Sequence, residues 1–192
     1  MSLILASTSP IRRQLLAAAG VTVEAQAPDF DEDWIKSRHV GDGASLARRL
    51  AEGKALSLGG GDDLVIGADS TVTVDGTRYS KPKDRDEAAA HLAAFSGRTM
   101  LLSSAVALAR AGKTLWSHAD TARLHVRPLS ASFIAAYLDA EWPAVAYCVG
   151  VFRMEGRGVQ LFETIEGDHF TILGLPLLPL LGALRREGVL AS

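Results

Sequence analysis

The chain has 192 residues, of which 48% are hydrophobic and 22% charged, a composition typical of a folded globular protein rather than of a disordered chain. Its 20 basic and 22 acidic side chains give a formal net charge of −2. This balance argues against a protein that binds nucleic acid polymers or anionic membranes through its overall charge, so any recognition of phosphate must be local.

The sequence predicts neither a secretory signal nor a membrane span. Arg12 and Arg13 follow the first apolar run instead of preceding it, which is the wrong order for a signal peptide. The later apolar stretch at residues 173–184 is shorter than the roughly 20 residues that cross a bilayer. Because the lone Cys148 cannot form an internal disulfide, we expect a protein of the reducing cytoplasm with no membrane partner.

The first predicted unit is a strand, a hydroxyl-rich turn and a helix within residues 3–20. Ser9 precedes a proline, the residue favoured at the first helical position, and is therefore the predicted N-cap. The hydroxyls of Ser7 and Ser9, the unpaired amides of the helix and the guanidinium groups of Arg12 and Arg13 form a candidate phosphate-binding corner. The alternative is an ordinary capped helix with two solvated arginines.

The next segments carry carboxylates and a lysine. Residues 21–27 alternate like a strand, and residues 28–33 are predicted to form an acidic loop. Carboxylates on such a loop, Glu32 among them, can hold Mg²⁺ or Mn²⁺, although a solvated loop is the commoner outcome. A helix at residues 44–58 follows and carries Lys54. Gly53 inside that helix indicates that another group approaches its backbone closely.

A fully apolar strand at residues 64–68 places Asp69 at its carboxyl end, where α/β proteins commonly bind ligands. An aspartate at that position can act as a metal ligand or as a general base. The alternative is that it caps the next turn through Ser70 or Thr71. Lys81, in a turn farther along, is a candidate phosphate ligand, although a single lysine is usually solvated surface.

The rest of the chain predicts three helices, at residues 84–95, from Ser130 to 140 and at 175–186. It also predicts a tight turn at Asp75, a long hairpin at 99–126 and two strands, at 147–154 and 159–165. Glu155 lies in a glycine-flanked loop between the last two strands. A carboxylate there can accept hydrogen bonds from N1 and N2 of a guanine-type base. The alternation of strands and helices predicts an α/β protein with two lobes around a cleft.

In their order along the chain, these segments resemble the Maf family, and the resemblance covers essentially the whole chain. It rests on the segments LASTSPIRRQLL, PDFDE, the Lys54–Ala55 pair, VIGADSTVTVDG, SKPKDRDEAAAHLAAFSGRT and IEGDHFTILGLPL. The resemblance implies one domain over residues 1–192 with an inosine-triphosphatase-like fold, a mixed sheet, a central cleft and a homodimeric assembly.

The resemblance also implies an activity. Maf proteins are divalent-metal-dependent nucleoside triphosphate pyrophosphatases that release a monophosphate and pyrophosphate from non-canonical or modified nucleotides. Asp69 matches the family's proton acceptor, and Arg12, Glu32, Lys54 and Lys81 match its charged positions. We expect Glu32 and Asp69 to hold the Mg²⁺ or Mn²⁺ cofactor, and the arginine and lysines to neutralise the triphosphate.

Ser70 and Glu155 match positions that the family links to substrate choice. The dTTP/UTP branch usually has glutamine in place of Glu155, so the glutamate indicates the 7-methyl-GTP branch. A dTTP/UTP pyrophosphatase is the alternative within the enzyme class. A nucleotide-binding regulator of cell division without catalytic activity is the alternative from another class.

Overall fold

The computed structural model describes residues 2–191 and has an α/β architecture built on a mixed sheet. The strands are β1 (Leu3–Ala6), β2 (Glu24–Gln26), β3 (Leu64–Val74), β4 (Thr77–Tyr79), β5 (Thr99–Arg110), β6 (Lys113–Val126) and β7 (Phe162–Glu166). The helices are α1 (Pro10–Ala18), α2 (Glu32–Arg38), α3 (Gly43–Leu58), α4 (Arg85–Phe95), α5 (Ala131–Glu141), α6 (His169–Ile172) and α7 (Leu177–Arg186). The predicted α/β class is confirmed.

The strands are ordered β2-β1-β3-β5-β6-β7, and β4 pairs with β3. β1 runs parallel to both of its neighbours, whereas β4 and β7 are antiparallel to theirs. The pairing of β1 with β3 ends at Ala6 opposite Gly67, yet β3 continues to Val74. The backbone of β3 beyond Gly67 therefore lacks β1 as a hydrogen-bonding neighbour.

The chain divides into two compact units, which we describe separately. The first unit comprises Met1–Ser70, Ser103–Asp120 and Asp168–Ser192, and the second comprises Thr71–Leu102 and Thr121–Gly167. Among residues 2–191, no helix is both long and apolar enough to cross a membrane.

Two buried layers cover the sheet of the first unit because its strands alternate their side chains between two faces. Leu5, Ile66 and Val106 pack with α1 and α7 on one face. Ile4 and Val65 pack with the alanines of α3 on the other face. Because this alternation continues along β3, successive residues after Ile66 point to opposite faces of the sheet.

The second unit contains aromatic contacts and a buried side-chain hydrogen bond. Tyr79 of β4 and Phe95 of α4 meet edge to face, with ring centroids 4.7 Å apart. The hydroxyl of Tyr137 in α5 donates to the carbonyl of Val151 at 2.9 Å, and this fixes the segment after α5.

Several sequence-based assignments of secondary structure were wrong in part. The acidic loop ends in a helix, since Asp31 accepts a hydrogen bond from the Trp34 amide and caps α2, which begins at Glu32. The apolar strand is longer than predicted, so Asp69 lies inside β3 and not at its end. β2 is limited to Glu24–Gln26, shorter than the alternation suggested.

The predicted strand at residues 147–154 is replaced by a short 3₁₀ helix and turns. The amide of Cys148 donates to the Val145 carbonyl, and the amide of Val151 donates to the Cys148 carbonyl. These local bonds use amides that a strand would offer to a neighbour, and Val151 has a positive φ of 56° that a regular strand does not accommodate. A second 3₁₀ helix, Arg157–Leu161, delays the start of β7.

Candidate active site

Small residues bring α3 close to β3 at the position that precedes Asp69 by two residues. A Cβ atom built on Gly67 would lie 2.1 Å from the Ala51 carbonyl oxygen and 2.6 Å from the Ala55 amide nitrogen. A larger residue at position 67 would therefore push the helix away. This contact lets Lys54 of α3 reach the carboxylate of Asp69.

The ammonium group of Lys54 lies between the two carboxylates predicted to hold metal. Its Nζ is 2.5 Å from Asp69 Oδ1 and 2.7 Å from Glu32 Oε1. Lys54 and Asp69 are each 8% exposed, whereas the Glu32 side chain is 35% exposed. Three of the predicted site residues thus form one ionic cluster, and only one edge of it faces solvent.

Lys36 is a member of this cluster that the sequence analysis missed. It lies one turn after Glu32 on α2, with its Nζ 2.7 Å from Glu32 Oε2. Burial by itself raises the pKa of Glu32, but hydrogen bonds and charge from Lys36 and Lys54 outweigh it and lower the pKa to about 2. The i, i+4 spacing was the available signal, but it becomes visible only when the acidic loop is assigned to a helix.

Arg12 is held by four hydrogen bonds within the first unit. Its Nε donates to the Gly174 carbonyl at 2.8 Å, its Nη1 to the Ala68 carbonyl at 2.8 Å and to Ser7 Oγ at 3.3 Å, and its Nη2 to Ser70 Oγ at 3.2 Å. Ala68 lies just past the end of β1, so Arg12 supplies the hydrogen bond that β1 no longer provides.

A guanidinium has five N–H donors, and these contacts engage four of those of Arg12. The predicted bidentate fork on phosphate therefore lacks its donors in this arrangement. Burial lowers the pKa of Arg12, while the negative charges of Asp69 and Glu32 act in the opposite direction. Arg12 contributes positive charge near the carboxylates and also anchors the turn at Gly174.

The hydroxyl turn before α1 is also engaged in bonds within the protein. Ser7 is buried, and its Oγ accepts a hydrogen bond from the Ser9 amide at 3.2 Å as well as one from Arg12. Ser9 occupies the predicted N-cap position, but its side chain makes no capping hydrogen bond. Arg13 is exposed and borders a surface depression of about 260 Å³ together with Ala17 and residues 20–23.

Asp69 and Ser70 are neighbours in sequence but project from opposite faces of β3. Asp69 contacts Lys54 of α3, whereas Ser70 contacts Arg12 of α1 and Ser104 of β5. The two residues cannot act as one pair of adjacent side chains. Asp69 belongs to the ionic cluster, and Ser70 belongs to a separate chain of hydrogen bonds.

Lys81 and Glu155 lie in the second unit and are both exposed. Both are close enough to Cys148 to influence its thiol, whose pKa is raised to about 11 by burial first and then by the negative charge of Glu155, with Lys81 opposing. Across residues 2–191, neither Lys81 nor Glu155 forms an ion pair. Their convergence with the ionic cluster stays a prediction.

A buried carboxylate holds the loop that carries Glu155. Glu141, 6% exposed, accepts hydrogen bonds from Arg153 Nε at 3.2 Å and Nη2 at 2.9 Å, and from the Arg157 amide at 3.4 Å. A Cβ atom on Gly156 would lie 3.3 Å from Glu141 Oε2, so a side chain there would crowd this contact. The loop is therefore fixed on both sides of Glu155.

Glu32 and Asp69 are a suitable donor pair for a hard cation. Both present carboxylate oxygens to one point, which Lys54 occupies, and Asp69 Oδ2 accepts no side-chain hydrogen bond from any residue that the structure describes. In that same range, no group of three or more Asp, Glu, His or Cys side chains gathers as a metal site. Two carboxylates suit Mg²⁺ or Mn²⁺, which complete their coordination with water and phosphate oxygens.

The chain is similar to a known protein family and to named relatives. A family model described as Maf-like protein matches residues 2–187. The chain is 47% identical to the 7-methyl-GTP pyrophosphatase of Rhizobium meliloti (strain 1021), over 98% of this chain and 97% of that protein. It is 48% identical to the nucleoside triphosphate pyrophosphatase of Nitrobacter hamburgensis, over 98% of this chain and 95% of that protein.

Among solved structures, a nucleoside-triphosphatase, dITP/XTP pyrophosphatase, from Mycobacterium abscessus aligns over 97% of both chains, with a TM-score of 0.46 and 19% identity. The family match covers nearly the whole chain, and the relatives that are almost half identical extend over the same length. The chain therefore belongs to the Maf-like protein family.

Proposed function

We propose that the protein is a nucleoside triphosphate pyrophosphatase, which hydrolyses the bond between the α- and β-phosphates and releases a nucleoside monophosphate and pyrophosphate. The observation that carries this proposal is the ionic cluster of Glu32, Lys54 and Asp69 in the first unit. It combines two carboxylates that can bind a cation with an ammonium group suited to polyphosphate. The names of the relatives support the same reaction.

In this mechanism, Asp69 accepts the proton of the attacking water. Lys54 engages Oδ1 of Asp69, which leaves Oδ2 for the proton. The water oxygen forms a bond to the α-phosphorus, and the bond from that phosphorus to the bridging oxygen breaks with departure of pyrophosphate. Because the two oxygens have different partners, Lys54 can orient the carboxylate of Asp69 while the other oxygen acts as a base.

Charge in the site favours the departure of pyrophosphate. Glu32 and Asp69 would hold a divalent cation, which would supply positive charge against the charge that develops on the leaving group. Lys36 and Lys54 add positive charge beside these carboxylates. Lys81, which is exposed, keeps its predicted role toward the triphosphate as a proposal.

For the substrate, we propose a modified purine nucleotide, with 7-methyl-GTP favoured. Glu155 is exposed and has no ion-pair partner in residues 2–191, so its carboxylate can accept hydrogen bonds from N1 and N2 of a guanine. The 47% identical relative named 7-methyl-GTP pyrophosphatase supports this choice. The dTTP/UTP alternative has no comparable support in the arrangement around Glu155.

The test is pyrophosphate release with Mg²⁺ or Mn²⁺ from 7-methyl-GTP, GTP, dTTP, UTP, CTP and ATP. The key variant is Asp69→Asn, which keeps the size of the side chain but removes its basicity. We expect turnover to fall by about 10² to 10⁴, the usual contribution of a general base. Asp62→Asn, in an exposed loop of the same unit, is the matched control and should retain full turnover.

Several outcomes would contradict the proposal. Near-normal turnover of Asp69→Asn would remove Asp69 from the chemistry. Preference for dTTP or UTP would preserve the reaction but overturn the substrate. Tight nucleotide binding without release of pyrophosphate from any nucleotide would identify a binding regulator instead of an enzyme.

A further inference from the structure

A chain of hydrogen bonds on the face of β3 opposite to Asp69 links Ser70 to the protein interior. Ser70 Oγ lies 2.9 Å from Ser104 Oγ, and Ser104 Oγ lies 2.7 Å from the Thr171 carbonyl oxygen. Ser104 and Thr171 are fully buried, whereas Ser70 is partly exposed. The chain thus ends at Ser70, the partly exposed residue of the three.

The direction of each hydrogen bond follows from the number of protons. A carbonyl oxygen has no proton, so the 2.7 Å contact with Thr171 requires the single hydroxyl proton of Ser104. Ser104 has then no proton left for Ser70. The hydroxyl of Ser70 must therefore donate to Ser104.

Arg12 restricts Ser70 from the other side. Its Nη2 donates to Ser70 Oγ at 3.2 Å, and a guanidinium cannot accept a hydrogen bond. Ser70 therefore uses its only proton on Ser104 and one of its two lone pairs on Arg12. One lone pair remains, and it points to the side that neither partner occupies.

From this geometry we propose that Ser104 is a positioning residue that makes Ser70 a hydrogen-bond acceptor toward the substrate. Ser70 then selects nucleotides that present an N–H or O–H donor to it, and it disfavours those that present an oxygen acceptor. This inference rests on the proposed function, since it concerns how the same enzyme chooses its substrate. It assigns to Ser104, which touches no substrate, control over the selectivity of Ser70.

The catalytic test compares nucleotides that differ in one donor group. The kcat/KM of GTP is measured against that of ITP, which lacks the 2-amino group, XTP, which has an oxygen there, and the 2′-deoxy and 3′-deoxy forms of GTP. In the native protein we expect one of these changes to reduce kcat/KM about tenfold, the effect of one lost hydrogen bond of ordinary strength.

Three variants separate positioning from a general loss of structure. Ser104→Ala frees the proton of Ser70, so the tenfold preference should shrink to about threefold or less, since the freed hydroxyl can donate instead of accept. Ser104→Thr keeps a hydroxyl and should restore the preference. Ser103→Ala removes the adjacent buried hydroxyl of β5 and should leave the preference intact.

A second measurement is independent of catalysis. Urea unfolding of Ser70→Ala, Ser104→Ala and the double variant forms a double-mutant cycle, in which a direct hydrogen bond makes the double variant less destabilised than the sum of the single variants. Thr171 retains a hydrogen bond from the Gly174 amide at 3.0 Å, so Ser104→Ala should still fold.

The inference is overturned by strictly additive destabilisation in the cycle. It is also overturned if Ser104→Ala lowers kcat/KM by the same factor for every nucleotide, or if the native protein shows no preference among the analogues. If no nucleotide released pyrophosphate, the proposed function would be refuted instead. The unfolding cycle would still test the hydrogen-bond chain, because it does not depend on catalysis.

Discussion

Two charged regions of the molecule differ in which residues pair with their carboxylates. In the first unit, the predicted functional carboxylates Glu32 and Asp69 are themselves the partners of a buried lysine, Lys54. In the second unit, Glu141 takes the ion pair with Arg153, and the predicted functional carboxylate, Glu155, is exposed and unpaired beside it in the part of the chain that the structure describes.

The difference separates stability from recognition. Where functional groups pair with one another, a substitution changes folding and chemistry together, because removal of one charge leaves its partner uncompensated. Where a neighbouring residue provides the structural pairing, the functional group can change at little cost to folding. The following predictions test this contrast in order of their expected effect on the free energy of unfolding.

Lys54→Met should have the largest effect. The substitution keeps the apolar stem but leaves Asp69 buried and Glu32 close to it, without the cation between them. Loss of one partner from a buried ion pair typically costs about 3–5 kcal/mol, so we expect a fall of that order in urea unfolding and a loss of pyrophosphate release.

Lys36→Met is the matched control for this prediction. It removes another cation that pairs with Glu32, but its side chain is 38% exposed. Solvent screening limits the contribution of such a pair, so the free energy of unfolding should fall by less than about 1 kcal/mol. Equal effects of the two substitutions would contradict the central role of Lys54.

Glu141→Gln should have an intermediate effect. The amide can still accept a hydrogen bond from the Arg157 amide, but it no longer provides a negative charge for Arg153, which is 36% exposed. We expect a loss of about 1–2 kcal/mol in urea unfolding, together with a raised KM at similar kcat, because the loop that carries Glu155 is less well fixed.

Glu163→Gln in exposed β7 is the control for that variant, and it should change neither quantity. If Glu141→Gln altered neither stability nor KM, Glu141 would not hold the loop. A fall in kcat alone would place its effect on the chemical step instead of on binding.

Glu32 should give a pH-dependent contribution to stability, which solvent screening reduces because its side chain is 35% exposed. Its pKa in the folded protein, about 2, is below the ordinary value of 4.5, so its ion pairs stabilise the protein fully above pH 4.5. This stabilisation is lost as the pH falls from about 4.5 to about 2. The native protein should therefore lose stability more steeply than Glu32→Gln over this range, and parallel curves would contradict the pKa shift.

The sequence predicted much of the first unit because its signals are local. Gly53 indicated a close contact, and the ring of Phe30 occupies the space where a side chain on Gly53 would lie, 2.2 Å from a Cβ atom built there. The end of β3 was misjudged because Asp69 and Ser70 interrupt the apolar run, although tertiary contacts extend the strand to Val74. Propensity and hydropathy do not register such contacts.

The site was predicted as a list of residues but not as an arrangement. Asp69, Glu32 and Lys54 meet as expected. Arg12 instead donates hydrogen bonds to carbonyl and hydroxyl oxygens of the protein. Which partner a guanidinium finds depends on where strands end in three dimensions. For the same reason no sequence pattern identified the role of Glu141, whose partners follow it by 12 and 16 residues through irregular backbone.

Glu155→Gln is the sharpest test of the contrast, since it should have the smallest effect on stability and a clear effect on selectivity. Glu155 is exposed and unpaired in residues 2–191, so its substitution should change the free energy of unfolding by less than about 0.5 kcal/mol. Glutamine replaces one acceptor oxygen by a donor, which weakens pairing with the N1 and N2 protons of guanine and favours bases with acceptors. The ratio of kcat/KM for 7-methyl-GTP to that for UTP should fall about tenfold or more, the effect of one lost charged hydrogen bond. An unchanged ratio would place base recognition elsewhere, and a large loss of stability would show that Glu155 is part of the structure of the loop.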